Sequence, residues 1–220
     1  MDELNKIQLI AIWILPVLFA ITVHEVAHGW VAKKLGDPTA MMLGRLTLNP
    51  IKHIDPIGTL LVPGLLLVFG AGFIFGWAKP VPVTWENLKH PKRDMALVAI
   101  AGPLVNLLMA FIWAMLLALA LSITSSESAF TYPLVLMAEA GILINLVLML
   151  LNLLPIPPLD GGRVMIGILP GRWAWQLSRL EPYGLFILLA LIFTDVLGKI
   201  LLPPLAALQS FFYFIAGIGG

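Results

Sequence analysis

The sequence predicts an all-α polytopic membrane protein, a bundle of about 5–6 transmembrane helices with a short membrane-associated β-hairpin or re-entrant region beside a cluster of ionisable residues. Three observations carry this. Apolar residues make up 60% of the 220-residue chain, charged residues only 11%, and the mean hydropathy is +0.99. A soluble domain of this size needs far more polar surface. Second, the apolar residues fall into runs long enough to cross a bilayer, over about 7–32, 94–123, 132–154 and 183–217. Third, the apolar run between the first two is interrupted by Pro63-Gly64 and further glycines.

The first run ends at Lys33-Lys34, with Gly36-Asp37-Pro38 as its stop signal. Its leading charges, Asp2, Glu3 and Lys6, are net acidic and no small-residue cleavage pattern follows, so the span is expected to be retained and not to act as a signal peptide. Residues 40–50 resemble short strand material with a glycine turn at Gly44. An apolar run from Ile57 to Trp77 is interrupted by Pro63-Gly64, Gly70, Gly72 and Gly76, and Lys79-Pro80-Val81-Pro82-Val83 cannot be helical. The helix of about 94–123 carries Gly102-Pro103-Leu104-Val105-Asn106. The run from 132 ends in Asn152-Leu153-Leu154-Pro155-Ile156-Pro157-Pro158-Leu159-Asp160-Gly161-Gly162. The last apolar region, 183–217, reads as two spans divided near Lys199 and Pro203-Pro204. The whole chain, 1–220, reads as one membrane domain: helix 7–32, β-hairpin or re-entrant region 36–83, helix 94–123, helix and turn 132–162, and C-terminal spans 183–217.

Basic residues in short loops orient the bundle. Segments 33–52 and 79–93 hold four each, 163–179 holds three, and 124–131 holds none. The first three are expected on the cytoplasmic side, which a re-entrant hairpin bent at Pro63-Gly64 would allow; a true span at 57–77 is the alternative. A net charge of +1 without a basic stripe gives no reason to expect nucleic acid. Trp13, Trp77, Phe211, Phe212 and Tyr213 suit interface anchoring or lipid contact.

The chemistry concentrates in His24-Glu25-Val26-Ala27-His28, which lies inside the first span. Two His four apart share one helix face and can hold one metal ion, and Glu25 is placed to act on a water bound there. This is the HExxH pattern of zinc hydrolases, in which Glu is the general base. Ionisable residues are costly inside a membrane, which favours a functional role. The site sits roughly 8 Å below the basic flank at Lys33. With no cysteine in the chain, a third ligand must be His, Asp or Glu. His53, Asp55, Glu86, His90 and Asp160 are the candidates. Asp160 is favoured because it closes a span on the same side and is followed by Gly161-Gly162, which permit close backbone approach.

His24-Glu25-Val26-Ala27-His28 together with Asn152-Leu153-Leu154-Pro155-Ile156-Pro157-Pro158-Leu159-Asp160-Gly161 resembles the site-2 protease family of intramembrane zinc metalloproteases, whose second motif reads N-x-x-P-x-P-x-L-D-G. Gly102-Pro103-Leu104-Val105-Asn106 is similar to the family's G-P-x-x-N. Many members carry PDZ or CBS domains; this sequence resembles the minimal membrane core. The resemblance implies one zinc per chain on His24, His28 and Asp160, with Glu25 as base. It implies Asn152, and more weakly Asn106, as substrate-backbone or oxyanion contacts. The expected partners are single-span membrane-protein substrates and the lipid bilayer. The expected location is a bacterial or archaeal plasma membrane, with the active site toward the cytoplasm. A helical substrate must unwind, and the segments 40–48 and 79–83 are expected to offer it a sheet edge. The alternatives are a membrane transporter, suggested by the intramembrane His, Glu and Asp, or a catalytically idle metal-binding protein of the same fold.

Overall fold

The computed structural model describes residues 5–69, 76–123 and 131–218. Helix α1 (Lys6–Leu35) starts at a capping box, in which the Asn5 side chain accepts from Gln8 N and the Gln8 side chain accepts from Asn5 N. It stops at Gly36, whose φ of 117° suits glycine and turns its N–H back onto Ala32 O and Lys33 O. Lys33 and Lys34 lie in the last turn, where the helix dipole favours cations.

Helices α2 (Thr39–Met42) and α3 (Val62–Val68) are short, and a single π-helical turn (Pro56–Leu61) leads into α3. Two long helices follow, α4 (Pro91–Ile123) and α5 (Thr131–Asn152). Beyond them lie α6 (Asp160–Ile168), α7 (Gly171–Ser178), α8 (Gly184–Phe193) and α9 (Val196–Ile215). Among the described residues five stretches are long and apolar enough to cross a bilayer: Ile7–Leu35, Pro91–Ile123, Thr131–Asn152, Gly171–Phe193 and Val196–Ile215. The protein is a multi-pass membrane protein. The stretch Gly171–Phe193 comprises α7 and α8 with a 3-10 turn at Glu181–Tyr183 between them. The C-terminal division falls at Thr194-Asp195, where Asp195 takes a left-handed conformation (φ 58°), whereas Pro203 and Pro204 lie within α9.

Helix α4 is the hub, packing on α1, α5, α6 and α9. Apolar side chains gain little by leaving lipid for one another, so close approach of backbones must supply the contact. Small residues mark the crossings with α5 and α6. Ala110 and Ala114 of α4 meet Ala138 and Ile142 of α5 in the main buried cluster, and Leu117, Leu146 and Phe212 complete it. The Trp113 ring covers Gly141, where an added Cβ would lie 2.2 Å from it. Against α6, a Cβ on Gly167 would meet Ala96 Cβ at 2.6 Å.

The expected β-hairpin near the site is not there: among the described residues there is no strand. Thr39–Met42 forms a helical turn and Gly44 (φ 63°) ends it. Pro63 and Gly64 lie inside α3. Gly70, Gly72 and most of the loop 124–131 fall outside the described residues. The two-residue alternation around Leu46 and Leu48 finds no partner backbone, because the extended segment 76–84 is bound piecemeal. Trp77 N donates to Gly58 O (3.0 Å), Lys79 N to His53 O (2.9 Å) and Arg45 Nη2 to Lys79 O (2.9 Å). The strands expected at 40–48 and 79–83 are therefore absent among the described residues.

Asp37, fully buried, ties the end of α1 to this segment. Its carboxylate accepts from Thr39 N (3.1 Å), Thr84 N (2.7 Å) and Asn87 Nδ2 (3.0 Å), and from the Thr39 hydroxyl. Burial works to raise its carboxyl pKa, but the Thr39, Asn87 and Thr84 donors outweigh burial and hold it below the usual carboxylate range. A carboxyl depressed in the folded state contributes stability that is present above its unfolded pKa of about 3.9 and fades as pH falls through the folded value. Asp37→Ala is expected to cost about 1.5–3 kcal/mol at neutral pH. The variant's deficit should shrink below about pH 4, read by thermal unfolding in detergent at both pH values; a deficit independent of pH would remove this account.

Candidate metal centre

His24 and His28 lie one turn apart on α1 and present their imidazoles toward α4 and the start of α6. His24 Nε2 lies 3.0 Å from His28 Nε2, and Asp160 Oδ2 lies 3.2 Å from the first and 3.3 Å from the second. All three residues are 7–9% exposed. The other nitrogen of each ring is committed. His28 Nδ1 bonds Val98 O at 2.8 Å and His24 Nδ1 bonds Asn106 Oδ1 at 2.5 Å, and since both partners are acceptors, each Nδ1 carries the proton. Both Nε2 atoms therefore present lone pairs, and Asp160 Oδ2 is a buried oxygen without a donor. Three electron-rich atoms at 3.0–3.3 Å repel one another unless a cation lies between them. A tetrahedral ion with bonds of about 2.0–2.1 Å has ligand edges of about 3.3 Å, so the donor set fits such a metal.

Glycines shape the cradle. A Cβ on Gly102 would lie 2.5 Å from both His24 Cε1 and His28 Nε2, so the two rings rest against bare α4 backbone. A Cβ on Gly161 would meet Leu153 O at 2.3 Å, and one on Gly162 would meet Pro157 N at 2.3 Å. These contacts seat the first turn of α6, and with it Asp160, on the chain just past α5. Gly102→Ala is expected to lower divalent-metal affinity by about 10–100-fold, the range for residues that orient ligands. Metal content after dialysis against a chelator checks this, and a content equal to wild type would contradict the packing described.

Glu25 is half-buried, and its Oε2 accepts from Val81 N at 2.7 Å. Pro80 and Pro82 have no N–H, so Val81 carries the one backbone donor in that tripeptide. Val81 also packs on α1, 2.8 Å from where a Cβ on Gly29 would sit.

The other candidates go elsewhere. His53 Nε2 donates to Thr47 O, and the Asp55 carboxylate caps the π-helical turn through Ile57 N and Gly58 N. Of the five candidate third ligands, only Asp160 joins the metal-binding group among the described residues; His53, Asp55, Glu86 and His90 do not. Asn106 stands next to His24, whereas the Asn152 amide donates to Leu148 O one turn back in α5 (3.0 Å). Sequence reasoning passed over Asn145, and it read Asp37 only as part of a stop signal and Val81 only as part of an expected sheet edge. A buried Asn inside a membrane helix was a signal for the first, since it needs a partner there.

Fold and site together define a polytopic helical membrane protein with a His-His-Asp group between its helices that could hold a metal ion. Residues 118–194 match the model of "Peptidase family M50". The chain is 43% identical over 195 residues to "Putative zinc metalloprotease YwhC" of Bacillus subtilis, covering 88% of this chain and 85% of that protein. Two proteins named "Putative zinc metalloprotease Rip2" are also similar. The one from Mycolicibacterium smegmatis is 28% identical over 90% of this chain and 74% of its own length, and the one from Mycobacterium tuberculosis H37Rv is 30% identical over 87% and 69%. No solved structure matches. The chain belongs to peptidase family M50, the site-2 protease family.

Proposed function

We propose that this protein is an intramembrane zinc endopeptidase that hydrolyses peptide bonds in or near the transmembrane segment of single-span membrane proteins. The observation that carries this is the lone-pair triangle of His24, His28 and Asp160, enclosed by membrane helices, with Glu25 next to His24 in the chain. His24, His28 and Asp160 would hold one zinc per chain. Zinc supplies Lewis acidity and brings the pKa of a bound water to about 7.

The chain's own residues do the rest. Glu25 holds its Oε2 against Val81 N–H and keeps Oε1 to receive a proton, which it returns to the leaving amide nitrogen. Asn152 spends one amide N–H on Leu148 O and keeps the other, with its carbonyl, for substrate backbone. A substrate helix must open locally, since each carbonyl in it is otherwise bonded within the helix. Two contacts support a cytoplasmic-side site. Arg163 lies over the Trp85 ring at 5.4 Å, and Lys92 Nζ donates to Leu169 O, so the basic segments 79–93 and 163–179 meet at one end of the bundle.

The test is reconstitution in vesicles with a tethered single-span substrate. About one zinc per chain is expected, with cleavage lost on zinc removal and recovered on zinc return. Cleavage that persists in metal-free protein, or ion flux without cleavage, would sink the reading.

A further inference from the structure

A chain of side-chain amides joins α5 to α4 and α4 to His24 of α1. Asn145 Nδ2 donates to Gly141 O (2.8 Å), Asn106 Nδ2 donates to Asn145 Oδ1 (2.8 Å), and Asn106 Oδ1 receives His24 Nδ1–H (2.5 Å). Asn106 Nδ2 also reaches Ala20 O at 3.4 Å. Both asparagines are 0% exposed.

The order of the chain matters because an asparagine amide has two unlike ends that differ little in shape. If the Asn106 amide turned over, its NH2 would face His24 Nδ1 and favour the tautomer with the proton on Nε2. That tautomer has no Nε2 lone pair to offer a metal. The Gly141 carbonyl can only accept, so it fixes the Asn145 NH2 toward itself and the Asn145 oxygen toward Asn106. That oxygen, at 2.8 Å the nearer of the two acceptors beside the Ala20 carbonyl at 3.4 Å, then fixes the Asn106 NH2 away from His24. His28 needs no such device, since its Nδ1 partner is the backbone carbonyl of Val98.

We propose that Asn145 is a positioning residue for the metal centre: through Asn106 it selects the metal-binding tautomer of His24, although it touches neither that ring nor Asp160. This rests on the zinc reading above and assigns Asn106 to orienting a ligand, in place of contacting substrate.

The test is a double-mutant cycle read by zinc affinity, using chelator competition on detergent-solubilised protein below its melting temperature. Asn145→Ala is expected to weaken zinc by about 10–100-fold. Asn106→Asp offers His24 an acceptor whichever way it turns. In that background, removing Asn145 is expected to change zinc affinity by no more than about twofold. Equal losses in both backgrounds would show that Asn145 only packs the helices, and no loss in the wild-type background would overturn the proposal outright. Where Asn145→Ala does not fold, Asn145→Ser enters the same cycle. Where Asn106→Asp does not fold, Asn145→Ala decides alone: unchanged zinc affinity overturns the proposal, and a loss with the melting temperature preserved upholds it. These outcomes are separable from the enzymatic reading. Unaltered zinc binding in Asn145→Ala would leave the peptidase standing, whereas wild-type protein that binds zinc and never cleaves would remove the peptidase and leave the positioning role.

Discussion

Glu25→Gln should retain zinc and lose cleavage by on the order of 10²–10⁴-fold, the contribution of a positioned general base. Glutamine keeps the size of the side chain and an oxygen for Val81 N–H, so the local packing survives. What it lacks is a carboxylate oxygen that can take a proton at neutral pH. His24 and His28 flank it in the sequence, and neither ring uses Glu25 to set its tautomer. Zinc content measured beside single-turnover cleavage separates the two effects. Zinc lost together with activity would mean that Glu25 is structural, and activity retained would end its role as base.

Asp160→Ala carries the other large effect, this time on the metal itself. Asp160 supplies the one charged oxygen of the cluster, and two imidazoles on a single helix turn make a poor site alone. Zinc affinity should fall by more than about 100-fold, beyond the range for residues that merely orient ligands. Stability offers an independent readout. Zinc at about 100 times its dissociation constant stabilises a folded protein by about 2.7 kcal/mol, so added zinc should raise the melting temperature of wild type and leave that of Asp160→Ala where it was. A zinc-dependent rise of equal size in the variant would place the metal elsewhere.

The comparison of sequence with structure divides along the range of the interactions. Helix α1 and its His pair follow from local rules: an apolar run, an Asn cap, a glycine stop, and two histidines one turn apart. Asp160 is 132 residues beyond His28, and it stood out as a candidate because of its place after a span and before two glycines. The strand expectation for 40–48 and 79–83 failed for a related reason. An alternating pattern becomes a strand only where a neighbouring backbone is free to pair, and here side chains took that place. Arg45 holds the Lys79 and Pro80 carbonyls, Glu25 holds Val81 N–H, and Asp37 holds Thr84 N–H.

The sequence by itself determined a membrane protein of apolar helices, the His24–His28 face with Glu25 beside it, and the short set of residues that could complete a metal site. It did so because helical period, hydropathy and ligand chemistry are properties of neighbours along the chain. Only the tertiary structure decided which carboxylate meets the imidazoles, why Gly102 must lack a side chain, and which way the Asn106 amide points. Those depend on α4 crossing α1, α5 and α6 at backbone distance, and a crossing between helices leaves no periodic trace in any one of them.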